Sequence, residues 1–277
     1  MTYDVLGPGP LDYLPCRYGD SKLLFRGPKR DLDTPYVAFL GGTETYGKFI
    51  ETPFPSLVEE GIGMTCANFG QINAGIDAYA SDPFVLNAAH HAHVSVVQIL
   101  GTQNMTNRFY AVHPRRNDRF VEASKLLRTI FREVDFTDFA YNKHMLQALV
   151  DVSVDRFEAV REELQDAWLA RMKLLLRQIK GKSVLLWMAP EPPADLVRPG
   201  AHGLGNEPLF VTAAMVDELA PFATRVVEVV VSPEAIAAGT EGMLFNDMER
   251  AAAQEVMGPM AHQEAARALV KVIEELS

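Results

Sequence analysis

Gly42-Thr43-Glu44-Thr45-Tyr46-Gly47-Lys48 is the stretch of this chain whose residue types and spacing could do chemistry. It follows the apolar run Tyr36-Val37-Ala38-Phe39-Leu40 and one more glycine, Gly41. Two chemistries fit it. In a G-x-x-x-x-G-K loop, backbone N–H groups surround phosphate oxygens and the lysine reaches the outermost ones. Alternatively, Thr43 presents a hydroxyl on a tight turn leaving a buried strand, where a nucleophile waits for a base. The surrounding residues weaken the first reading. Phe49 stands where a Ser or Thr would hold magnesium, Glu44 places negative charge inside the loop, and no later strand ends in a suitable aspartate. A sulfo- or phosphoryl-group-handling protein using 42–48 as an anion loop is the lesser alternative.

Elements to position this turn can be read along the chain. Apolar runs at 36–41, 64–70, 94–100, 183–188 and 225–231 predict five strands. Between them lie helical patterns at 53–60, in pieces over 72–91, and at 118–134, 137–150 and 211–220. Further helices are expected at about 246–255 and 261–275. Val154, Phe157, Val160, Leu164, Trp168, Met172, Leu175 and Ile179 recur every three or four residues, which predicts a long amphipathic helix over 153–180. Strands that are mostly apolar on both faces and alternate with helices imply an α/β fold, a three-layer α/β/α domain with a mostly parallel five-stranded sheet. Such a sheet keeps its site at the carboxyl ends of its strands. The expected organisation is an arm at 1–35, with a short strand at 22–25, and a single domain at 36–277 carrying a helical insertion at about 105–181. That insertion either covers the site or forms the interface of a homo-oligomer.

Bulk properties narrow the function. The chain has 277 residues and a formal charge of -10, which excludes the net basic footprint that nucleic acid or an anionic membrane requires. Cys16 and Cys66 form neither a disulfide framework nor a zinc pattern, and reduced thiols suit a cytoplasmic protein. The first residues show no secretory leader, and no apolar run is long enough to span a membrane. His90-His91-Ala92-His93 has poor spacing for one metal ion, and no metal or other cofactor is expected. Arg26, Lys29 and Arg30 read as a solvated turn, and Pro114-Arg115-Arg116 as a solvated start to a helix.

Four blocks in order give a more specific reading. Gly41-Gly42-Thr43-Glu44-Thr45-Tyr46-Gly47 resembles the opening Gly-Asp-Ser-x-Thr-x-Gly block of the SGNH (GDSL-type) hydrolases, with Thr43 at the serine position. Cys66-Ala67-Asn68-Phe69-Gly70-Gln71-Ile72-Asn73 resembles their Asn-x-Gly-x-x-Gly block, with Asn73 at the last glycine or that glycine displaced to Gly75. Ile99-Leu100-Gly101-Thr102-Gln103-Asn104 resembles the strand leading to Gly-x-Asn-Asp, with one residue inserted. Pro259-Met260-Ala261-His262 resembles Asp-x-x-His, with Pro259 at the aspartate position.

The resemblance implies a flavodoxin-like α/β/α fold and an esterase acting on a small or carbohydrate-linked ester. Thr43 would then be nucleophile, His262 base and Asn104 an oxyanion donor. Gly42, Glu44, Gly70, Asn73 and Gly75 would line the oxyanion and substrate site. Either Glu44 or Glu264 would have to replace the missing orienting aspartate. A catalytically inactive SGNH-like binding protein is the alternative, because a β-branched nucleophile is crowded and an unanchored histidine is a poor base.

Overall fold

In chain order the strands are β1 (Tyr36–Leu40), β2 (Thr65–Asn68), β3 (Val94–Gln98), β4 (Tyr110–His113), β5 (Arg116–Ala123), β6 (Lys182–Ala189) and β7 (Arg225–Val230). They come from a computed structural model that describes residues 11–195 and 203–277. Residues 1–10 of the expected arm and 196–202 of the loop after β6 lie outside the described residues.

Five of the strands form one parallel sheet in the order β2-β1-β3-β6-β7. From β1 the chain moves outward to β2, then returns to place β3 on the other side of β1. The connections leaving β1 and β3 therefore part at their carboxyl ends and open a crevice, the usual ligand position in such sheets. The fold is the expected three-layer α/β/α arrangement. Tyr36, Ala38 and Leu40 of β1 face one apolar cluster, whose outer layer includes the helices Pro83–His91 and Val154–Gln178. Val37 and Phe39 face the other, under helices Phe54–Ile62 and Pro259–Leu276. Phe157, Val160, Leu164, Trp168, Met172 and Leu175 of the long helix are buried, as their spacing predicts.

Several expectations are corrected. Residues 118–134 are not one helix. β4 and β5 form an antiparallel hairpin there, and only Lys125–Ile130 is helical. The sequence Arg-Asn-Asp-Arg-Phe-Val-Glu-Ala looks too charged for a strand, yet pairing with β4 and burial of Phe120 and Ala123 decide its conformation. Pro114-Arg115 accordingly lies in the hairpin turn rather than at a helix start. Instead of a strand at 22–25 there is a single bridge between Cys16 and Phe25. Arg26 is buried rather than solvated. A short helix also forms at Pro233–Ala238, right after β7. Among the described residues, no helix is long and apolar enough to cross a membrane.

Candidate ligand-binding site

The turn after β1 is fastened from β3. Gln98, the last residue of β3 and an amide in a mostly apolar run, accepts from Gly42 N–H at 2.9 Å and from Thr45 Oγ1 at 2.6 Å. Tyr79 adds a second hold, with its hydroxyl bonded to the Gly41 carbonyl oxygen. A Cβ on Gly41 would lie 2.0 Å from Thr45 Oγ1 and 2.5 Å from Gln98 Oε1, so only glycine lets the turn close this tightly. Thr43–Tyr46 then makes one helical turn, ended by Gly47 at φ 74°.

This closure consumes several of the loop's donors. Tyr46 N–H and Gly47 N–H donate to Gly42 and Thr43 carbonyl oxygens, both at 2.9 Å, and Lys48 N–H reaches the Thr43 carbonyl at 3.3 Å. An anion cradle needs those N–H groups free and pointing inward. Phe49, at the metal-holding position of that alternative, packs in a small core with Met243 and Ala253.

Thr43 is locked to the second block. Its Oγ1 accepts from Asn73 N–H at 3.0 Å and donates to Asn73 Oδ1 at 3.2 Å. Asn73, at φ 54°, passes its own carbonyl to Asn104 Nδ2 at 3.0 Å. Asn104 Oδ1 in turn accepts from Asn142 Nδ2 at 3.0 Å. Asn142 also donates to the Asn117 carbonyl, and Asn117 Oδ1 takes Gly75 N–H at 3.0 Å. This chain of amides ties the turn after β1 to β5 and to helix Asn142–Val152. Gly70 N–H is likewise engaged, donating to Asn68 Oδ1 at 2.8 Å. The N–H groups of Gly70 and Gly75 thus have internal acceptors.

Thr43, Gly42, Glu44, Asn73 and Asn104 all line a crevice of about 400 Å³ at the β1/β3 switch point. Most of its other polar walls carry no signal in the sequence. Asp118 comes from β5, Lys143 from helix Asn142–Val152, and Glu207 from the segment before helix Ala213–Leu219. Lys143 Nζ meets Glu207 Oε1 at 2.6 Å across the crevice. Asp118 Oδ2 accepts from Asn73 Nδ2 at 3.2 Å. Glu44 accepts from Gln98 Nε2 at 3.3 Å, and desolvation raises its carboxyl above the usual carboxylate range. Gln98, absent from the sequence candidates, carries a signal that could have flagged it, as an amide closing a mostly apolar strand.

His262 is not brought to Thr43. It lies in the first turn of helix Pro259–Leu276, 1% exposed, and it is absent from the crevice wall. Its Nδ1 accepts Phe54 N–H at 3.1 Å, and its ring lies 5.7 Å from that of Phe54. Burial pushes its pKa down to about 3, with the nearby Arg26 charge as a second cause. A triad base donates from Nδ1 and accepts at Nε2, whereas this ring accepts at Nδ1 and so carries its proton on Nε2. Glu264 does not orient it, because both its oxygens serve Ser232, at 3.0 Å from N and 2.5 Å from Oγ. Arg26 fills a structural post nearby, donating to the carbonyl oxygens of Tyr46, Gly47, Ile50 and Glu51.

Fold and site together define an α/β/α domain with a polar crevice at its topological switch point. The chain belongs to the family described as "Domain of unknown function (DUF6473)", whose model matches residues 1–277. No curated protein matches it. Among solved structures it is similar to the lipase Lip_vut3 from a goat rumen metagenome, at 12% identity and a TM-score of 0.41, covering 85% of this chain and 96% of that one.

Proposed function

We propose that this chain is a small-molecule-binding protein on an SGNH-like fold, and that its crevice takes a polyhydroxylated, carbohydrate-like ligand without hydrolysing it. The carrying observation is that the Thr43 hydroxyl makes both of its hydrogen bonds with Asn73. An amide oxygen accepts a hydrogen bond but is far too weak a base to remove a hydroxyl proton, so Thr43 has no activating partner there. The histidine that would supply one is committed to Phe54 N–H. The wall offers what a polyol needs. Amide and carboxylate groups from Gln103, Glu44, Asp118 and Glu207 can pair with hydroxyls, while Leu100, Met188, Met257 and Tyr141 offer apolar surface to C–H faces.

Saturation-transfer NMR with a panel of neutral hexoses tests this reading. Transfer is expected with the wild type and should fall in Glu44→Ala, which alters the wall. No transfer to any sugar at millimolar concentration would overturn it.

An ester hydrolase is the second reading. It draws on the meeting of Thr43, Asn73 and Asn104 at one crevice, as the SGNH-like blocks imply. That reading requires ester turnover that is lost in Thr43→Ala.

A further inference from the structure

One end of the crevice holds a buried amide oxygen that, among the described residues, has nothing to accept from. Gln103 is 4% exposed, and its Nε2 donates to Glu207 Oε1 at 2.9 Å, which fixes the amide's orientation. Among the described residues its Oε1 then has no hydrogen-bond partner. A Cβ on Gly101 would lie 2.3 Å from that Oε1 and 2.6 Å from Glu207 Oε2, which accepts from Leu209 N–H at 2.9 Å, so two acceptor oxygens converge over a wall residue that has no side chain. A buried acceptor left unsatisfied is expensive, and a ligand donor placed there removes the penalty. Charge points the same way. Glu44, Asp118, Glu207 and Glu255 face the crevice against Lys48 and Lys143, four carboxyl groups to two ammonium groups.

We propose that the Gln103–Glu207 end is a subsite for a primary ammonium group, so that the preferred ligand is an amino sugar or a similarly hydroxylated amine. This rests on the binding reading above. An ammonium supplies three donors and a positive charge, matching an orphan amide oxygen beside a carboxylate. Lys143, now paired with Glu207, is exposed enough to swing aside for it.

The test is competitive saturation-transfer NMR with glucosamine, N-acetylglucosamine, glucose and glucuronate, in buffer acidic enough to keep the amine protonated. Wild type should favour glucosamine over glucose by roughly tenfold or more, the scale of one charge-assisted hydrogen bond. Acetylating the amine should remove the preference. In Glu207→Gln and Gln103→Leu the glucosamine-to-glucose ratio should fall towards one, whatever the accompanying loss in glucose binding, and an unchanged ratio overturns the subsite. Should a variant fail to fold, the comparison of glucosamine with N-acetylglucosamine on wild type decides by itself. Equal or weaker binding of glucosamine, or a preference for glucuronate, overturns the subsite and leaves carbohydrate binding standing. No transfer to any of the four overturns both.

Discussion

Thr43 and Asn73 hold each other by two hydrogen bonds, Asn73 N–H to Thr43 Oγ1 at 3.0 Å and Thr43 Oγ1 to Asn73 Oδ1 at 3.2 Å. They join the turn after β1 to the turn after β2, so the threonine acts here as a fastener. Thr43→Val keeps the shape and removes both bonds, and should lower unfolding free energy by about 1 kcal/mol. Thr43→Ser keeps the hydroxyl and should lose less. Urea denaturation of the two variants checks the order. A Thr43→Val protein as stable as wild type would show that the pair contributes nothing.

His262 gives the fold a pH signature. Its ordinary pKa of 6.5 falls to about 3 in the folded chain because the ring is buried and, secondly, because the Arg26 charge lies nearby. Between those values the unfolded chain binds a proton that the folded chain refuses. Its contribution is therefore fully present above 6.5 and is lost as pH falls towards 3. Denaturation midpoints should decline across that window, and less steeply in His262→Gln. NMR of the ring should show a neutral Nε2–H tautomer at pH 5. Titration of the ring near its ordinary value would contradict the buried placement.

Arg26 is a buried cation that spreads its donors over four backbone carbonyls, those of Tyr46, Gly47, Ile50 and Glu51. Removing it leaves those oxygens without their charged donor. Arg26→Met should cost on the order of 3 kcal/mol. Arg26→Lys should recover little, since an ammonium cannot reproduce the planar fork. Thermal melts of both variants measure this, and a well-tolerated lysine would argue against the clamp.

Gly75 allows a close crossing of two loops. A Cβ there would stand 1.5 Å from the Asn104 carbonyl oxygen. Gly75→Ala must therefore displace Asn104, at a cost of about 1–3 kcal/mol or more. It should also weaken sugar binding beyond the stability loss, because Asn104 lines the crevice. Unchanged binding and stability would mean that the loops move apart freely.

Much of this architecture is legible in the residues. The five parallel strands stand out because both faces of most are apolar, and the long helix because Phe157 to Leu175 repeat at helical spacing. The Gly41–Gly47 turn is legible too, since its glycines answer a steric need. The β4–β5 hairpin is not, because its charged strand gains its conformation from a partner. His262 shows the harder limit. A histidine in a first helical turn looks the same in sequence whether its ring meets the crevice or the opposite layer. Glu207, Asp118 and Lys143 escape notice for a related reason, since loops far apart in the chain bring them together only in three dimensions.

Turnover of a fluorogenic short-chain ester by the wild type, measured beside Thr43→Ala, bears most directly on whether this crevice binds or catalyses. Equal rates, both at the buffer background, are predicted from a Thr43 hydroxyl that, among the described residues, is engaged by Asn73 alone. A clear wild-type rate that Thr43→Ala abolishes while remaining folded would contradict the binding reading and make Thr43 a nucleophile.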